Sequence, residues 1–309
     1  MVASYPMFAS GADAKIPIPG FFSSFLPLNL FPVGFRTTSD VFPVDGGNAA
    51  FDPSAFARSA PSDSVDTEVF RRLFEREAAL SPGLTPEALR SLLPEDVRIL
   101  PRNVADYPSA FALLKDAPEV VVCEGDPTLL ECEAIVSIVG ARNATEVRTA
   151  SAFEAARALA QRGFTVVSGL AAGIDRAAHE GALAARRPSG ARGRTAAVLG
   201  TPLAAPWPEE NVELARRIAR DGVLLSEAPQ VSGLNFTPEA RTQSLHARNR
   251  LVAALGRGTL VMAVESGSST LIEARAALAL GKPVFIWHEA VGDSGARELL
   301  AEYCESPEC

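Results

Sequence analysis

The stretch VVSGLAAGIDRAAH, from Val166 to His179, passes from β-branched residues through Gly169 and Gly173 into a helical pattern carrying Asp175 and His179. Glycines at a strand-to-helix joint let the backbone adopt positive φ and approach a ligand closely. The helix they open would aim free amides and the positive end of its dipole at an anion. Ser168 and the two glycines are therefore candidate phosphate contacts. Asp175 and His179 stand four apart and share a face. Each also has a plainer role open to it: Asp175 on first-turn amides, His179 as a hydrogen-bonded core histidine.

Three more segments repeat the theme. Arg142, in the GARN turn after an apolar run, would project over a crevice toward an anion, with Thr145 placed to cap the next helix. Arg248, Asn249 and Arg250 precede an apolar helical face in HARNRLVAAL, where two guanidinium forks and an amide at a helix start would clamp a phosphate. Gly267 and Ser268 open the SGSSTLIEA segment with amide and hydroxyl donors, and an ordinary N-cap cluster is the competing reading. Glu273, six residues after Gly267, is the one candidate for catalysis. The glycine pattern is not a complete dinucleotide fingerprint, and no acidic ribose ligand follows the next strand.

The elements that would position these segments follow from the hydrophobic pattern. Short β-branched runs near 120–123, 135–139, 165–167, 195–199, 223–225, 259–264 and 283–287 alternate with helical stretches near 146–162, 173–186, 209–220, 248–256 and 270–280. Strands apolar on both faces predict an α/β fold, a doubly wound, mostly parallel Rossmann-like sheet, whose ligand sits at the carboxyl ends of the strands. We place this domain at 119–290, after an irregular leader over 1–62 and a small helical segment over 63–118, and before a short tail over 291–309.

Composition narrows the function classes. With 309 residues, 47% of them hydrophobic and 21% charged, the chain has the make-up of an ordinary soluble protein. Ile16–Phe35 is apolar, but its four prolines break any spanning helix, so no membrane association is expected. The four cysteines form no C-x-x-C pair and read as reduced thiols of a cytoplasmic protein; no metal or cofactor is called for. The net charge of −8 is uneven: residues 131–288 carry 18 basic and 14 acidic groups, and all but one of the basic groups is arginine. Arginine suits phosphate.

Taken together, IVSIVGARN, VVSGLAAGIDRAAHEGAL, RTAAVLGTPLAAPWPEEN, HARNRLVAAL and SGSSTLIEA resemble the DNA-processing protein A (DprA/Smf) family, in order and in spacing, over roughly Leu100 to Trp287. The resemblance implies a Rossmann-like core that binds single-stranded DNA, protects incoming DNA and loads a RecA-type recombinase in natural transformation, as a homodimer and without catalysis. It also implies that Arg142, the Ser168–Gly173 turn and Arg248–Arg250 contact phosphate, with the SGSST segment lining the same pocket. Several features depart from the family pattern. ARELLAEYCESPEC has no counterpart of the winged-helix module of many members, Leu245-His246-Ala247 replaces the usual aromatic-proline start of the RNR segment, and the 230–244 linker is unfamiliar. Two alternatives stay open: a nucleotide sensor without turnover, and a nucleoside-monophosphate phosphoribohydrolase using Glu273, since GSSTLIE is similar to that family's G-x-G-T-x-x-E signature.

Overall fold

In the computed structural model, which describes residues 30–33 and 63–304, one sheet holds nine strands. They are β1 Leu30–Val33, β2 Arg98–Pro101, β3 Val120–Gly125, β4 Ile135–Gly140, β5 Thr165–Ser168, β6 Arg194–Leu199, β7 Val223–Ser226, β8 Thr259–Ala263 and β9 Val284–Trp287. Their order is β1-β9-β8-β4-β5-β6-β7-β3-β2. The five pairings among β4 to β9 are parallel. Antiparallel pairings occur at the two ends of the sheet. The helices are α1 Asp63–Leu80, α2 Pro86–Leu92, α3 Glu146–Gln161, α4 Ile174–Ala184, α5 Val212–Asp221, α6 Pro238–Leu255, α7 Ser269–Ala279 and α8 Ser294–Cys304.

The alternation of side chains along the strands explains the two helical layers. From β4, Val136 and Ile138 pack with α3 and α4, whereas Ile135 and Val139 pack with α6 and α7. From β6, Ala197 and Leu199 join α5, α1 and α2 on the first face, and Ala196 and Val198 face α6. Burying each such Val, Leu or Ile contributes about 1.5–3 kcal/mol. Ser137, the polar residue in this central strand, is buried but satisfied, since its Oγ donates to the Val252 carbonyl at 2.8 Å and ties the sheet to α6.

The strand order places the functional edge. The chain moves from β4 through β5 and β6 to β7 in one direction, then returns to lay β8 on the other side of β4. The crevice between the exits of β4 and β8 is therefore the switch point at which open α/β sheets bind ligands.

Several sequence expectations change. Part of the 1–62 leader, Leu30–Val33, is a strand on the edge of β9; an edge tolerates Pro32, which cannot donate to a ladder. The rest of the leader lies outside the described residues. Ser294–Cys304, within the expected tail, is a helix that buries Ala296 and Leu299 in the core. β2 is an addition: RILP is short, begins with Arg98 and ends at a proline, yet pairs with β3. The largest change is α6, which begins at Pro238 rather than near residue 248.

Candidate functional site

Arg142, Asp175, Arg248, Asn249, Ser269, Thr270 and Glu273 line one crevice at the switch point, joined by Leu245 and His246 of α6. Each arrives on a different element. Arg142 follows β4 and is exposed, with no ion pair among the described residues. Thr145 accepts from the Arg148 amide at 3.4 Å, so α3 starts where the GARN turn predicts.

Arg248 is the centre of the site. Its side chain is 4% exposed and yet has no hydrogen bond or ion pair among the described residues; its Nε is buried without a partner. Burial lowers its pKa, and Glu273 and Asp175 partly offset that through space. A buried guanidinium without direct partners is costly unless an anion reaches it. Gly169 makes room for this group, because a Cβ there would lie 1.5 Å from Arg248 Nη1. The glycine thus admits protein rather than ligand.

Asp175 supports the turn. Its Oδ2 accepts from the Gly169 and Ala171 amides at 3.2 and 3.3 Å. On the other side, Asn211 donates to the Leu170 carbonyl at 2.9 Å, holding a left-handed leucine with φ of 60°. Gly173, with φ of 75°, lets this turn rest on the GARN turn: a Cβ would meet the Arg142 and Ala141 carbonyl oxygens at 2.4 and 2.5 Å. The Gly169 amide, one of the expected phosphate contacts, is therefore already engaged by Asp175, as is its neighbour at Ala171. Burial raises the Asp175 pKa, against the lowering influence of Arg248 and these amides.

Glu273 lies on the crevice floor, 6% exposed, with Oε1 lacking a partner. Burial raises it to about 8; Arg248 opposes that rise and Asp175 adds to it. At neutral pH the group is mostly protonated, so it does little to neutralise Arg248. His179 is the core histidine of the plainer reading. Its Nδ1 sits 2.7 Å from Thr195 Oγ1, which itself donates to the Val166 carbonyl, so Nδ1 carries the proton. Burial and the nearby Arg248 hold His179 at about 3, neutral.

Other predicted contacts fall elsewhere. Arg250 is two residues from Arg248 on a helix, hence about 200° around it, and pairs with Glu227 and with Asp116 at 2.8 Å. The pair of arginines at a helix start is thus corrected: both lie well inside α6, and only Arg248 reaches the crevice. Ser168 is fully buried and donates to the Ile138 carbonyl at 2.6 Å. Ser268 is the N-cap of α7, accepting from the Leu271 amide at 3.3 Å, and Gly267 is an exposed left-handed turn residue. Ser269 and Thr270, one step further on, line the crevice instead. The start of α6 was written in the sequence as Thr237-Pro238-Glu239, an N-cap followed by proline at the first helical position. The weak apolar periodicity of the next residues hid it.

The fold and crevice define a doubly wound α/β protein with an arginine-lined crevice at its switch point. The chain belongs to the family of DNA recombination-mediator protein A, whose family model matches residues 98–306. It is 32% identical over 202 residues to the DNA processing protein DprA of Bacillus subtilis, covering 65% of this chain and 63% of that relative. It is 38% identical over 183 residues to the protein Smf of Synechocystis, covering 58% of this chain and 43% of that one. The chain thus spans less than two thirds of these curated relatives. Among solved structures, DNA processing protein A from Helicobacter pylori, described for its single-stranded DNA binding mode, matches with a TM-score of 0.57 and 32% identity. That match covers 67% of this chain and 87% of that one. No helix among the described residues is long and apolar enough to cross a membrane.

Proposed function

We propose that this protein binds single-stranded DNA through its phosphate backbone, without reading sequence, and is not an enzyme. The observation that carries this reading is the buried, unpartnered guanidinium of Arg248 beneath the exposed, unpaired Arg142 at the switch point. Arg142, Arg248 and Asn249 are the contacts we assign to phosphate; guanidinium forks match phosphate oxygens geometrically and carry no base specificity. The relative from Helicobacter pylori supports single-stranded DNA as the ligand.

A phosphoribohydrolase fits less well. The crevice encloses only about 20 Å³, against about 300 Å³ or more for a small-molecule pocket. Stabilising an oxocarbenium ion also needs an ionised carboxylate, whereas Glu273 sits at about 8.

The family's description as a recombination mediator supports the further step, in which a cytoplasmic homodimer protects the strand and delivers it to a RecA-type recombinase. Stimulation of recombinase filament assembly on protein-coated single strands tests that step; no stimulation removes it. For binding itself, fluorescence anisotropy of labelled oligo-dT and of duplex at two salt concentrations is decisive. The expected result is salt-sensitive preference for the single strand; no binding at low salt overturns the proposal.

A further inference from the structure

A second, wider cavity of about 280 Å³ opens beside the loop that follows β6, lined by Trp207, Pro206, Glu209, Val212, Leu234 and Arg241 among others. Trp207 is 40% exposed and Leu234 37%, so two of the six large apolar side chains left exposed among the described residues line this one cavity. The guanidinium of Arg241 lies over the Trp207 ring, 4.1 Å from its centroid, and Arg241 has no ion pair among the described residues. The frame around the ring is fixed. The Leu203 amide donates to Gln230 Oε1 at 3.1 Å, Ser226 Oγ to the Thr201 carbonyl at 2.8 Å, and the Asn211 amide to the Pro208 carbonyl at 3.0 Å.

The two cavities share α6. Arg241, Leu245 and Arg248 recur at helical spacing along one side of it; Arg241 lines the wide cavity, and Leu245 and Arg248 line the crevice. Seven residues of helix rise about 10 Å, so one short stretch of strand can reach both cavities. The narrow crevice suits phosphate oxygens; the wide cavity, with an exposed indole and a cation stacked on it, suits a flat aromatic group.

We propose that the Trp207–Arg241 cavity is a nucleobase subsite, in which a base of the strand held at Arg142 and Arg248 stacks on Trp207. This rests on the single-strand reading above. It adds a base-dependent, sequence-tolerant contact to a backbone clamp, since every base presents a π-face. Glu209 on the cavity wall disfavours a phosphate there and leaves the base as the better occupant.

The test compares oligo-dT with an abasic oligomer of equal length, which keeps the phosphates and lacks the bases. Trp207→Ala is expected to weaken oligo-dT binding about 5- to 150-fold, to leave abasic binding unchanged, and to be largely rescued in Trp207→Phe. In the wild type, oligo-dT should change tryptophan emission while the abasic oligomer does not, over a constant background from Trp287, which is 8% exposed. That emission readout decides the matter even if Trp207→Ala fails to fold. Equal losses for both oligomers, an unchanged oligo-dT affinity, or an unchanged emission overturns the subsite while leaving backbone binding intact. A shift in sedimentation of Trp207→Ala with oligo-dT affinity unchanged gives the cavity to a second copy of the chain instead. If the wild type binds neither oligomer, the single-strand reading falls, and the subsite with it.

Discussion

Replacing Glu273 with glutamine should remove a specific pH dependence of stability. Burial lifts this carboxyl from 4.5 to about 8 in the folded chain. Between those values the folded chain holds a proton that the unfolded chain has released, so stability falls as pH rises. His179 acts in the opposite sense: lowered from 6.5 to about 3, it makes stability rise with pH up to 6.5. The two oppose each other below pH 6.5, and Glu273 acts without that opposition from 6.5 to about 8. Lys282, lowered by burial to about 8, takes effect above that window. At about 1.4 kcal/mol per pH unit the wild type should lose roughly 2 kcal/mol across it. Glu273→Gln, which mimics the neutral acid, should lack that loss and be the more stable protein at pH 8. Asp175 is also raised and is present in both proteins; its repulsion of Glu273 is part of the rise that Glu273→Gln removes. Urea unfolding at pH 6.5 and 8 measures this directly. Parallel decline of the two proteins would refute the assignment of a buried, protonated Glu273.

The two glycines of the turn should respond differently to alanine. At Gly173 the clash is with backbone carbonyl oxygens and φ is 75°, so Gly173→Ala should cost on the order of 3 kcal/mol or more in thermal or urea unfolding. At Gly169 the clash is with the end of the Arg248 side chain, so Gly169→Ala should stay folded and lose about 10- to 100-fold in oligo-dT affinity as the guanidinium is displaced. Arg250→Ala should lower stability by about 1–3 kcal/mol by leaving the part-buried Glu227 without its partner, while the exposed Asp116 stays hydrated. Its oligo-dT affinity and salt slope should not change, and a reduced slope would return Arg250 to the binding surface.

The parallel sheet was legible because its strands are short, β-branched and apolar on both faces; the runs at 135–139, 165–167 and 195–199 fall within β4, β5 and β6. The edge strands were not, since Leu30–Val33 and Arg98–Pro101 each contain a proline and carry no interior pattern. Which residues meet at the switch point was partly legible: Arg142, Arg248, Asn249 and Glu273 come together. The direction in which each points was not. The two arginines of Arg248-Asn249-Arg250 diverge because helical geometry sends i and i+2 to different sides. Asp175 and Ser168 are spent on backbone partners that only the folded turn reveals. Asn211, which clamps Leu170 from 41 residues away, had no local signal at all.

We propose above that Arg142 and Arg248 hold a phosphate of single-stranded DNA. Oligo-dT binding by the wild type and by Arg142→Ala, across a salt series, tests it most directly, because Arg142 is exposed and its loss should not disturb the fold. Arg142→Ala is expected to bind more weakly, with a slope of log K against log salt that shrinks by about 0.7, the value for one phosphate contact on a single strand. An unchanged affinity with an unchanged slope would contradict it.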